Sequence, residues 1–229
     1  LSTPQRICWT PPTGAGKDKE EFMTYFPMFL KLENAPCLVA GGGAVALRKV
    51  KNLLSFGAEI MLVAPEIAPE LEQLPKVHLA KRCFCPQDLD GMTLAVAATD
   101  NGEVNREIAR LCRARQIPVN VADQPEEGTF VFPAVVQKGS LTIGVSTGGA
   151  SPAAAVYVKE KIASVLPGED KHFQEILDYL ARMRPVVKRE VAEPHRKALF
   201  LRLFDLCMEK NRPLTQDEWT ALRKKGKMP

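Results

Sequence analysis

The stretch Pro36-Cys-Leu-Val-Ala-Gly-Gly-Gly-Ala-Val-Ala46 decides the fold. The short apolar run from Cys37 to Ala40 suits a strand buried on both faces, as in a parallel sheet. Gly41-Gly42-Gly43-Ala44-Val45-Ala46 then fits the pattern G-x-G-x-x-[GA]. In that pattern Gly41 permits a tight turn, Gly43 lets the backbone approach a pyrophosphate, and Ala46 allows close packing of the following helix. That helix is expected from Ala44 to Phe56, with Val45, Val50, Leu53 and Leu54 on one side and Gly57 as its stop. Its first N–H groups lack partners and its dipole favours anions, so phosphates would sit there. Read alone, the string also fits a glycine turn that holds no nucleotide. The strand before it and the amphipathic helix after it point instead to a Rossmann-type domain that binds a nicotinamide dinucleotide.

Outward from this turn, short apolar runs alternate with amphipathic stretches, the pattern of βαβ units and an α/β class of fold. Strands are expected at Cys37 to Ala40, Ile60 to Val63, Val77 to Ala80, Thr93 to Ala98 and Pro118 to Ala122. A second long helix is expected from about Glu103 to Arg115, burying Val104, Ile108, Leu111 and Cys112. After Asp123 the texture becomes antiparallel: Thr129 to Gln137, a turn at Lys138-Gly139-Ser140, then Leu141 to Thr147. Beyond Ser151 the chain reads as helical. Ser151 is placed to cap a helix with Pro152 in its first turn, and Thr215-Gln-Asp-Glu218 reads as a capping box. Phe173, Ile176, Leu177 and Leu180, then Leu199, Leu203, Phe204 and Cys207, form stripes expected in a helical core. The expected division is a tail over 1–20, a Rossmann domain over 21–124, a small β-hairpin unit over 125–150 and a helical C-terminal domain over 151–229. Gly14-Ala15-Gly16-Lys17 in the tail is not a phosphate loop, because Asp18 stands where the hydroxyl should be.

The 229 residues suffice for one ordinary domain and a smaller one, and no apolar window approaches a membrane span. With no secretory h-region at its start, the chain is expected in the cytoplasm. Its six cysteines include no C-x-x-C pair and are expected as reduced, mostly buried thiols. The net charge is +4, and residues 151–229 carry 16 Lys and Arg against 11 Asp and Glu. That excess could attract an anionic substrate, although scattered basic residues on helices commonly form a solvated face. Neither a nucleic-acid nor a membrane partner is expected.

Ligands of open α/β sheets bind beyond the carboxyl ends of the strands, which directs attention to the polar residues there. The second strand ends in Val63-Ala64-Pro65 with Glu66 just beyond, leaving ribose recognition to Glu66 or to the backbone. No Arg or Lys stands there for a 2′-phosphate, so NAD is favoured over NADP. Thr99 and Asp100 follow the fourth strand and Asp123 the fifth. Asp123 reads equally as a proton acceptor beside a nicotinamide or as a turn-closing residue before Gln124-Pro125. Ser146-Thr-Gly-Gly-Ala-Ser-Pro152 reads either as an anion site at a helix start or as a tight joint.

Six motifs, in this order, carry a family resemblance: Tyr25-Phe-Pro-Met-Phe-Leu30, Val39 to Lys49, Ala97-Ala-Thr-Asp100, Val119-Asn-Val-Ala-Asp123, Phe130-Val-Phe-Pro133 and Val145 to Pro152. The chain resembles the precorrin-2 dehydrogenase / sirohydrochlorin ferrochelatase family, the N-terminal module of siroheme synthase and its stand-alone relatives. The resemblance implies NAD-dependent oxidation of precorrin-2 to sirohydrochlorin and, in bifunctional members, insertion of a metal, Fe²⁺ or Co²⁺ being the ions to test. It also implies a homodimer joined through the hairpin unit. It assigns the essential acid–base role to Asp123 and cofactor contacts to Ala44, Val45, Pro65 and Glu66, beside Gly41, Gly43, Thr99 and Asp100 from the strand-end reading. Thr147 stands where some members carry a serine. Lys159, Lys161, Arg182, Arg184, Lys188, Arg189, Arg196 and Lys197 offer a cationic wall for the tetrapyrrole carboxylates. His78, His172 and His195 are too widely spaced to suggest a metal triad. Two rival readings are a short-chain dehydrogenase, from Tyr157-Val-Lys-Glu-Lys161, and a non-catalytic NAD sensor, which would need no strand-end base.

Overall fold

The computed structural model describes residues 25–166 and 171–225. The expected tail over 1–20, with Cys8 and the Gly14 to Lys17 string, lies outside the described residues. At the centre is β1 (Pro36–Ala40), flanked by β2 (Glu59–Val63) and β4 (Leu94–Ala97). β3 (Val77–Ala80) and β5 (Val119–Val121) complete a five-stranded parallel sheet in the order β3-β2-β1-β4-β5. Each of these five strands falls within one residue of its expected ends. Ala40 pairs with both Val63 and Ala97, so these strands end together along one edge.

The unbroken apolar run of β1 is explained by the helices on either side of the sheet. Cys37 and Val39 pack into a core with Ala46, Val50 and Leu53 of α1 (Ala44–Ser55) and Leu71 of α2 (Pro69–Glu72). Leu38 and Ala40 face the opposite core, with Ile108, Ala109 and Cys112 of α3 (Gly102–Ala114). Full burial of Leu38 contributes roughly 1.5–3 kcal/mol. On α3 the expected burial shifts: Val104 and Leu111 are only partly buried, whereas Asn105 and Ala109 are buried. Asn101 accepts the N–H groups of Glu103 and Val104 and so starts the helix one residue earlier than expected.

The hairpin pairs β6 (Ala134–Lys138) with β7 (Leu141–Val145) across the two-residue turn Gly139-Ser140, Gly139 having φ +55. Its first strand does not begin at Thr129 as expected. The Thr129 and Phe130 N–H groups both donate to Val119 O, and Phe130 and Phe132 pack on the α1 side of the large sheet. The segment before β6 is therefore held by the Rossmann domain. Helix α4 (Pro152–Val165) packs on the hairpin and is capped by Ser151, whose Oγ accepts the Ala154 N–H at 3.1 Å.

Helices α5 (Lys171–Glu190), α6 (Glu193–Lys210) and α7 (Gln216–Lys225) enclose a further core around Ile176, Val187, Leu199, Leu203, Cys207 and Trp219. Phe204, expected in this core, is exposed, because it lies one residue past Leu203 and turns to the other side of α6. The box at Thr215 is reciprocal: Glu218 accepts the Thr215 N–H at 2.9 Å and Thr215 Oγ accepts the Glu218 N–H at 3.3 Å. Among the described residues the five cysteines are free, and no helix is long and apolar enough to cross a membrane.

Candidate cofactor crevice and strand-end face

The three glycines of the turn meet three different constraints. Gly41 has φ +127, and a β-carbon there would stand 2.1 Å from the Ala98 carbonyl oxygen. Gly42 is equally confined, since its β-carbon would lie 1.9 Å from the Glu66 carbonyl oxygen. The Gly42 carbonyl also accepts the Ala68 N–H at 2.9 Å, which ties the turn to the loop after β2. Gly43, in contrast, has ordinary extended backbone and open space where its β-carbon would be. It is the N-cap of α1, with no side-chain cap and no acidic residue in the first turn. The first N–H groups of α1 are thus left for an anion to satisfy.

A crevice of about 590 Å³ opens at this turn, lined by Gly42, Gly43, Ala64 to Ala68, Thr99 and Asp100. It lies at the carboxyl ends of the parallel neighbours β1 and β4, from which successive strands are added toward opposite edges of the sheet, the switch point at which such folds bind ligands. Of the expected cofactor residues, Gly43, Pro65, Glu66, Thr99 and Asp100 line it. Gly41 lies behind it, and Ala44 and Val45 stand on the first turn of α1. Glu66 presents an exposed side chain there, while its carbonyl is packed on Gly42.

Asn105, absent from the expected site, fixes the Thr99 end of the crevice. Its Oδ1 accepts the Thr99 hydroxyl at 2.7 Å and the Thr99 N–H at 3.1 Å, and its Nδ2 donates to the Thr99 carbonyl at 3.0 Å. The signal was a polar residue on the face of α3 that otherwise carries Ile108 and Cys112. The Thr99 hydroxyl has its acceptors in Asn105 Oδ1 and the Asn101 carbonyl and itself accepts the Asn101 N–H, so Thr99 offers a ligand mainly its shape.

Asp123 does not line the crevice; it stands at the end of β5, one strand over from Thr99 and Asp100. Its φ of +61 places it in the left-handed region, which aspartate tolerates better than most residues, and its side chain is exposed. Two residues on, a short 3₁₀ turn over Pro125–Glu127 redirects the chain. Asn120 anchors the neighbouring segment by donating to the Phe130 carbonyl at 3.1 Å. On α1, the Lys49 ammonium lies 4.1 Å from the centroid of the Phe132 ring. Burial and the adjacent Arg48 hold the Lys49 ammonium below its ordinary pKa, with Asp123 acting in the opposite sense.

The second glycine motif is closed on itself. Thr147 Oγ accepts the Ser151 N–H, Ser146 Oγ accepts the Gly148 N–H, and Gly148 and Gly149 both have positive φ. This geometry is a tight joint leading into α4. Tyr157 is exposed on α4, with Lys161 stacked toward its ring at 5.6 Å, and neither lines the crevice. Of the expected cationic wall, Arg196 is engaged by the Lys188 and Val191 carbonyls and Arg189 by Glu190. Among the described residues no group of three or more His, Cys, Asp or Glu is placed to hold a metal ion.

A doubly wound parallel sheet with an uncapped helix N-terminus behind its glycine turn defines a Rossmann-type dinucleotide-binding protein. Residues 28–134 match a family model described as NAD(P)-binding, and residues 138–164 match one described as sirohaem biosynthesis protein central. The siroheme synthase of Chromobacterium violaceum is 46% identical over 149 residues, which span 63% of this chain and 32% of that one. The siroheme synthase of Methylobacillus flagellatus is 38% identical over 182 residues, 78% of this chain and 38% of that one. This chain thus matches only about a third of the length of these relatives. A solved structure titled SirC, precorrin-2 dehydrogenase, superposes with a TM-score of 0.65 at 25% identity, covering 87% of this chain and 100% of that one. The chain is thus similar, over two successive stretches, to NAD(P)-binding and sirohaem-biosynthesis proteins.

Proposed function

We propose that this chain oxidises precorrin-2 to sirohydrochlorin, with NAD as the hydride acceptor and Asp123 as the proton acceptor. The observation that carries the proposal is the placement of a fitted dinucleotide cradle and an exposed, non-glycine left-handed carboxylate on adjacent strand ends of one sheet. The similarity to sirohaem-biosynthesis proteins, among them a precorrin-2 dehydrogenase, supports the substrate class.

The cradle fits the cofactor by its own geometry, because Gly43 leaves the uncapped α1 terminus approachable. Those N–H groups would hold the pyrophosphate, and Pro65, Glu66 and the β2 loop backbone would border the adenosine ribose. When bound, the dinucleotide supplies the hydride acceptor. Asp123 takes the proton that must leave the macrocycle, and the rigid Asn105–Thr99 contact keeps the adjoining wall in place. NAD rather than NADP is supported by the basic residues after β3: Lys81 is paired with Glu72 at 2.7 Å and Arg82 with Asp88, so neither is free for a 2′-phosphate. The homodimer is supported by apolar side chains exposed on α4, Val158 and Val165 among them, beside a two-stranded sheet with open outer edges.

The test is anaerobic turnover of precorrin-2 with NAD by wild type and Asp123→Asn, a substitution compatible with positive φ. Loss of the base lowers kcat by about 100-fold or more while NAD binding is kept. Full activity in Asp123→Asn overturns the mechanism, and NAD binding without turnover in wild type favours the sensor reading.

A further inference from the structure

We infer that Lys49 is a substrate-binding residue, its ammonium placed over the Phe132 ring to hold a carboxylate of the tetrapyrrole next to Asp123. This rests on the functional reading above and deepens it. The family resemblance assigned no role to this lysine, and the cationic wall expected from the sequence lay wholly in the C-terminal helices.

Three observations converge on it. The first is position: Lys49 is on α1, the helix whose N-terminus forms the cofactor cradle, and the Asp123 carboxylate favours its charged form. One short helix segment therefore faces both halves of the proposed reaction. The second is an electrostatic imbalance. Lys49 is half-buried beside Arg48, yet it makes no ion pair among the described residues, its ammonium lying over the Phe132 ring 4.1 Å from the centroid. A π face compensates only part of the desolvation of an ammonium, so an anion at this spot is favoured. The third is rigidity. Phe132 stacks on Phe130 with centroids 5.3 Å apart, and Phe130 is fixed to β5 through Val119 and Asn120. The platform that holds the lysine is thus tied to the strand that ends in Asp123. Precorrin-2 carries its acid groups around the ring edge, so fixing one carboxylate on Lys49 sets which ring carbon meets Asp123.

The test compares wild type, Lys49→Met and Lys49→Arg in anaerobic precorrin-2 oxidation, with NAD affinity by calorimetry, sirohydrochlorin affinity by absorbance titration, and melting temperature. Methionine keeps the apolar stem but removes the charge. Losing a partly buried charged hydrogen bond raises the KM for precorrin-2 and the Kd for sirohydrochlorin by roughly 10- to 100-fold. The expected NAD affinity is unchanged, kcat falls less than KM rises, and Lys49→Arg recovers most of the tetrapyrrole affinity. A Lys49→Met protein with wild-type KM and Kd overturns the inference alone, as does one whose only change is a lower melting temperature or weaker NAD binding. If wild type neither binds sirohydrochlorin nor oxidises precorrin-2, the functional reading falls and the inference with it.

Discussion

Replacing Gly43 by alanine should separate cofactor binding from folding, because the three glycines of the turn are confined by different neighbours. At Gly43 the backbone is φ −94 and ψ −169, allowed for any residue, and no atom lies within 4 Å of the added β-carbon. Fewer unfolded conformations then leave Gly43→Ala within about 1 kcal/mol of wild type, with the shift toward greater stability. The new methyl nevertheless stands at the entrance to the α1 N–H groups and keeps a phosphate at a distance. Losing one charge-assisted hydrogen bond of about 1.5–3 kcal/mol weakens NAD binding by roughly 10- to 150-fold. Gly41→Ala behaves in the opposite way. Its β-carbon meets the Ala98 carbonyl oxygen at 2.1 Å and its carbon at 2.6 Å, at a φ of +127. Backbone strain of about 1–3 kcal/mol adds to the cost of moving β4's exit loop. A total of about 3 kcal/mol lowers the melting temperature by roughly 6–12 °C in a chain of this size. Calorimetric titration with NAD and thermal melts of the two variants check both halves. Wild-type NAD affinity in Gly43→Ala would refute the assignment of the α1 terminus as the phosphate site. A Gly43→Ala melting point as low as that of Gly41→Ala would refute the claim that its surroundings are open.

Acid stability provides a prediction far from the crevice. Arg212, the Thr215 N–H and Lys210 hold the Glu218 carboxyl well below the usual carboxylate range, and Arg82 does the same for Asp88. A lowered folded-state pKa gives stability that is present above the unfolded value and lost as pH falls through the folded one. Melting temperature should therefore be level from pH 7 to about 5 and fall below about pH 4, with a shallower fall in Glu218→Gln; identical acid slopes would count against the network. Removing the Asn101 cap by alanine should cost about 1 kcal/mol and loosen the Thr99 wall, read as a lower melting temperature; an unchanged one would show that Asn105 suffices. On α4, Val158→Glu should convert a dimer into monomers by light scattering, and a wild-type monomer would remove the dimer proposal.

Local signals carried much of this fold. The apolar run at Cys37 to Ala40, the three glycines and the stripe on α1 each depend on residues adjacent in sequence. Backbone conformation and helical or strand periodicity act over that same range, so the parallel sheet, its five strands and the phosphate-binding turn were legible. The capping residues Ser151 and Thr215 were legible for the same reason, since a cap is completed within three residues. What required the tertiary structure is what packing between distant segments decides. Gly42 stands at the unspecified position of G-x-G, yet the Glu66 carbonyl fills the space a side chain would need. The hairpin's first strand begins at Ala134 because Phe130 and Phe132 gain more by covering the α1 core than by extending a two-stranded sheet. Lys49 meets Phe132 only after α1 and the segment before β6 have docked on the sheet. Spacing along the chain could nominate Asp123 as a proton acceptor or a turn-closing residue with equal weight. It could not reveal that the half-buried Lys49 ammonium lies over Phe132, because residues 49 and 132 are brought together only by the folding of distant segments.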